Sequence, residues 1–108
     1  MKKEENLVEL EEEDFDKRTE EGKWIIDFWA AWCGPCKVMD PEFAEAAKEM
    51  KGKVNFAKVD VESNQELANR FEVMSIPTTI LMKGGEVVDK RVGTMDKDAI
   101  IEFIEESF

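Results

Sequence analysis

KWIIDFWAAWCGPCKVMD, residues 23–40, holds the chain's only two cysteines, Cys33 and Cys36, at the point where one hydrophobic period gives way to another. Residues 23–30 form a near-continuous apolar run, the pattern of a strand buried on both faces. Alternation sends Trp24, Ile26 and Phe28 to one face and Ile25, Asp27 and Trp29 to the other. From Cys33 to Met50 the spacing changes. Met39, Phe43, Ala46, Ala47 and Met50 recur every three or four residues, so they share one face of a helix. Gly52 is its natural stop. Pro41 lies inside it, where a missing N–H bends a helix. The stretch therefore reads as a buried strand feeding a helix whose first turn carries both thiols.

The same switching continues outward. Residues 6–10 read as a short first strand and residues 11–22, acidic and ending at Gly22, as a helix. Residues 53–61 are a strand. Ser63, three residues before Glu66, is the start of a capping box that opens a helix running to about Glu72. Residues 77–83 and 86–92 are strands joined by Gly84-Gly85, a tight hairpin. Residues 96–108 are a last helix with Ile100, Ile101, Ile104 and Phe108 on its inner face. The order is β-α-β-α-β-α-β-β-α. Helical crossovers demand parallel strands and the hairpin an antiparallel pair. An α/β fold follows, a mixed central sheet of five strands with helices on both faces, in a single domain over residues 1–108.

Composition narrows the function. With 26 acidic and 15 basic residues the net charge is −11, which repels nucleic acid and anionic membrane surfaces. Such a surface keeps a protein soluble and gives a mild preference for basic partners. No run approaches the ~20 apolar residues that span a bilayer. The opening MKKEENLVEL lacks the apolar core of a signal peptide. The expectation is a cytosolic protein, where thiols are kept reduced and a purely structural disulfide is out of place.

Two intervening residues let both sulfurs meet within one helical turn, so a disulfide closes there with little backbone movement. The unpaired N–H groups of a helix N-terminus favour negative charge. Cys33, at the very end, is expected to be exposed and to attack; Cys36, one turn in, to be shielded. A partly buried helix-end interaction reaches ~2 kcal/mol and a pKa unit is ~1.4 kcal/mol, which brings a thiol from ~8.5 towards neutrality. The chain's negative charge opposes this, but screening over ~8 Å blunts its distant part. Pro35 falls at the helix start, where no N–H is needed, and stiffens it. Gly34 lets another chain approach. Asp27, if both sheet faces are covered, is a lone carboxyl in an apolar setting, fit to take a proton from Cys36; otherwise it is a solvated strand-edge aspartate. A zinc site needs four ligands, and two cysteines without histidine supply one only between chains.

WCGPCK within DFWAAWCGPCK, followed by FAKVDVE, SIPTTILMKGGE and RVGT in order, resembles the thioredoxin family along nearly the whole chain. The resemblance implies five strands, the third between the first and second, and four helices. It implies a general protein disulfide reductase that needs no bound cofactor, acts on disulfide-containing target proteins and is recharged by a thioredoxin reductase, with a monomer as the working unit. It strengthens the functional reading of Asp27 and sets Lys58 beside it, biasing it towards ionisation. Proline at Pro35 goes with reduction rather than oxidation. It implies a cis Ile76-Pro77 bond facing the cysteines; without the resemblance Pro77 is only the first residue of an edge strand. Trp32, Gly34, Pro35, Ile76, Pro77, Gly93 and Thr94 then form a flat, weakly polar docking patch, with Trp29 in a supporting role. Glu72, Met74 and Ser75 depart from familiar members, as do the additional Trp24 and the absence of tyrosine, and these bear on partner preference. A thiol oxidase or isomerase, and a binding module without turnover, are the alternatives on the same fold.

Overall fold

The computed structural model describes residues 6–108. Residues 1–5, the start of the stretch weighed as a signal peptide, lie outside the described residues. The elements are β1 (Leu7–Glu9), α1 (Phe15–Thr19), β2 (Lys23–Trp29), α2 (Gly34–Glu49), β3 (Asn55–Asp60), α3 (Gln65–Arg70), β4 (Thr78–Lys83), β5 (Glu86–Val92) and α4 (Lys97–Ser107). One five-stranded sheet has the order β1-β3-β2-β4-β5. β3 pairs in parallel with β1 and β2, while β4 runs antiparallel to both β2 and β5. The expected mixed sheet and element order are both found.

β2 is buried from Trp24 to Phe28 because the sheet is covered on both sides. Ile25 packs with Met39, Phe43, Ala46 and Ala47 of α2 and with Ile100, Phe103 and Ile104 of α4. On the other face, Trp24, Ile26 and Phe28 pack with Phe15 of α1 and Leu67 of α3. The hairpin turns through Gly84 (φ +59°) and Gly85 (φ +85°), with Lys83 opposite Glu86. Both residues need the left-handed region that glycine enters freely.

Local details differ from expectation. α1 is one turn rather than residues 11–22, because only Phe15 and Thr19 face the core. α3 is capped not by Ser63 but by Asn64. The Asn64 side chain accepts from the Glu12 N–H at 2.9 Å and donates to the Asp60 carbonyl at 3.0 Å. The Glu66 N–H donates to the Glu12 carboxylate at 3.0 Å, so a distant segment does the work of a capping box. In α4 the buried face is Ile100, Phe103 and Ile104; Ile101 and Phe108 are only partly buried. The spacing of three and four counted from Ile100 falls on Phe103. Among the described residues no helix is long and apolar enough to cross a membrane.

Candidate functional site

β2 delivers the chain to one end of the sheet, and α2 starts five residues after β2 ends. Cys33 is the N-cap of α2, with extended backbone (φ −90°, ψ 110°). Its Sγ accepts from the Cys36 N–H at 3.2 Å, so the sulfur occupies the place of a capping oxygen. Pro35 lies in the first turn, as expected. Cys33 and Cys36 are joined in a disulfide with Cα atoms 5.3 Å apart.

Here Cys33 corrects the sequence reading. In this oxidised pair it is 3 % exposed, no more than Cys36, rather than open to solvent. Bonding to Cys36 turns Sγ inward, 3.8 Å from the carbonyl oxygen of Ile76. Ala30, Trp29, Val61 and Ile76 pack around the two sulfurs. Exposure falls instead on the neighbours: Trp32 is 65 % exposed, and Gly34 and Pro35 are also exposed.

The Ile76-Pro77 bond is cis. The Ile76 carbonyl lies against Cys33, and the Pro77 carbonyl accepts from the Gly93 N–H at 2.9 Å. Gly93 has φ +108°, and exposed Thr94 follows it. Beside the cysteines, Trp32, Val61, Val73, Met74 and Ile76 line a groove of about 220 Å³. The Trp32 indole N–H donates to the Glu62 carboxylate, which fixes the ring at the rim of that groove.

Asp27 is 1 % exposed, and its Oδ1 has no hydrogen-bond partner among the described residues. In the sheet it stands between Lys58 on β3 and Thr79 on β4. Burial pushes its carboxyl from the ordinary 3.8 up to about 7; Lys58 pulls it down, and the charges of Asp40 and Glu9 push it up. Lys58 does lie beside Asp27 in the sheet, but its ammonium is ion-paired with Asp40 of α2. It also sits 4.5 Å above the Trp29 ring, which gives Trp29 its supporting contact. A cavity of about 230 Å³ lies beside the Lys58–Asp40 pair, lined by Cys36, Asp40, Lys58, Glu9, Trp29, Ala31 and Lys37. Asp40 and Glu9 escaped the sequence reading. The signal for Asp40 was present, since it stands four residues after Cys36 and therefore on the same helix face.

A cysteine pair that closes across the first turn of a helix, at its N-terminus, defines a thiol–disulfide oxidoreductase. The family profile described as Thioredoxin matches residues 6–106. A thioredoxin of Staphylococcus aureus (strain Mu50 / ATCC 700699) is 43 % identical over 99 residues, covering 92 % of this chain and 95 % of the relative. A thioredoxin of Staphylococcus saprophyticus is 46 % identical over the same shares. The chain belongs to the thioredoxin family.

Proposed function

We infer that the chain is a protein disulfide reductase working by dithiol–disulfide exchange, as one domain over residues 1–108. The observation that carries this reading is the Cys33–Cys36 disulfide, closed across the first turn of α2 beside the cis Ile76-Pro77 bond. In the reduced protein the Cys33 thiolate attacks a target disulfide. The target S–S bond breaks, a Cys33–target bond forms, and one target sulfur leaves as a thiolate that takes a proton. Cys36 then gives its proton to Asp27 and attacks Cys33 Sγ. The second target thiolate departs, two electrons have passed to the target, and the Cys33–Cys36 bond is restored.

The remaining residues have supporting roles. Lys58 biases Asp27 towards its ionised form. Pro35 holds the first turn, and Gly34 lets the target backbone come close. Trp32, Ile76, Pro77, Gly93 and Thr94 make the docking patch, which the apolar groove beside Trp32 supports. The partners are disulfide-containing proteins and a thioredoxin reductase that returns electrons to the pair. The protein works in the cytosol as a monomer, without nucleic acid or membrane, and no bound cofactor is needed because the cysteines carry both electrons.

The test is a disulfide-reduction assay on wild type, Cys33→Ser and Cys36→Ser. Neither variant turns over, and only Cys36→Ser traps a covalent target adduct. A Cys33→Ser variant that keeps its function undiminished overturns the mechanism and restores the binding-module alternative.

A further inference from the structure

Lys58 and Asp27 are direct partners in the parallel register of β2 and β3, and partners in register point to the same face of a sheet. A lysine stem is long enough to bring its ammonium to the neighbouring carboxylate. It goes elsewhere: the Lys58 ammonium meets Asp40 of α2, above the Trp29 ring, and Asp27 Oδ1 is left unpartnered. Asp40 is therefore in competition with Asp27 for one cation. It lies one helical turn beyond Cys36, on the wall of the same cavity.

We propose that Asp40 is a positioning residue for the reduction cycle: by holding the Lys58 ammonium against α2 it keeps that cation off Asp27, and so leaves Asp27 able to take and return the Cys36 proton. The inference rests on the reading of Asp27 as proton acceptor for Cys36. A carboxylate locked to a lysine is a poor base, because its lone pairs are engaged and its charge is already balanced. The charged groups facing Asp27 are Lys58 from β3, Asp40 from α2 and Glu9 from β1, while β4 presents the neutral Thr79. Glu9 is in register with Lys58 as well, so its position lies on the same face of the sheet. Asp40 acts on Asp27 twice with the same sign, through its own negative charge and by occupying Lys58. The pair joins a largely buried Lys58 ammonium to a half-exposed Asp40 carboxylate, so a purely structural role has to be separated from it by pH dependence.

The test follows the Asp27 carboxyl by carbon NMR across pH in the oxidised protein, and the rate at which Cys36 resolves a Cys33–target mixed disulfide across the same range. Wild type, Asp40→Asn, Asp40→Glu, Asp27→Asn and the Asp40→Asn/Lys58→Met double variant are compared. In Asp40→Asn both the carboxyl titration and the pH midpoint of resolution move down by roughly half a unit or more. Asp40→Glu restores the wild-type midpoint, and removing Lys58 from the Asp40→Asn background moves it back up. If Asp40→Asn leaves the midpoint in place while Asp27→Asn slows resolution, the assignment to Asp40 falls and the role of Asp27 stands. If Asp27→Asn resolves at the wild-type rate at every pH, the proton-acceptor reading falls and the proposal with it.

Discussion

Asp27 stands in the buried run of β2, Trp24 to Phe28, where every other side chain is apolar, and the fold bears a cost for it. Its carboxyl titrates at about 7 instead of 3.8, chiefly because burial disfavours the charged form. A difference of roughly three units at ~1.4 kcal/mol each corresponds to about 4 kcal/mol. The sign follows from proton binding. Between the two values the folded state holds a proton that the unfolded state has lost, so stability is highest below the unfolded value and declines as pH rises towards 7. Above 7 the loss is complete. Asp27→Asn should therefore raise the urea midpoint strongly at about pH 8 and hardly at all at about pH 4; an equal gain at both would show that the folded and unfolded chains lose this proton at the same pH, so that burial does not raise the carboxyl. The position of Asp27 was legible because a two-residue period assigns faces by counting. The partner of Lys58 was not, because it depends on how α2 lies across the sheet. The burial of Cys33 was hidden for a similar reason, since its cover comes partly from Ile76, more than 40 residues along the chain.

At the scale of elements, the strands and α2 could be read because their apolar residues repeat at the period of the structure they form. The hairpin could be read because two adjacent glycines supply two positive φ values that other residues avoid. The start of α3 could not. Ser63 and Glu66 have the spacing of a capping box, yet the donors at that end are met by Glu12, while Asn64 is drawn into the core to bind the Glu12 N–H and the Asp60 carbonyl. A local motif lost to a tertiary one. The two readings differ in a measurable way. Asn64→Ala should cost about 2 kcal/mol, because it leaves two part-buried backbone groups without their partner. Ser63→Ala, at an exposed residue that caps nothing, should stay within about 0.5 kcal/mol. Chemical denaturation of both variants measures this, and a larger loss for Ser63→Ala would reinstate the capping box.

For the whole molecule, the pattern of periods dictated parallel and antiparallel connections but not which strand neighbours which. The place of β3 between β1 and β2 came with the family resemblance, since several strand orders satisfy the same connections. Net charge, by contrast, is a property of the sequence that acts directly on the folded state. Confining −11 charges within a body about 30 Å across, rather than in an expanded chain, costs on the order of 10 kcal/mol before counter-ions gather. The ion pairs offset little of it. Arg70–Asp16 and Lys97–Glu49 lie open to solvent, where water and salt weaken the attraction and the two side chains lose freedom to hold it. Salt weakens both effects, but it has more repulsion than attraction to screen, because repulsion acts across the whole surface at distances comparable to the screening length. Raising potassium chloride from about 0.02 M to about 0.5 M at neutral pH should therefore raise the melting temperature by several degrees, as expected for a gain of about 1 kcal/mol in a domain of this size. A melting temperature that fell with salt would mean that the ion pairs, and not the acidic excess, dominate the surface electrostatics.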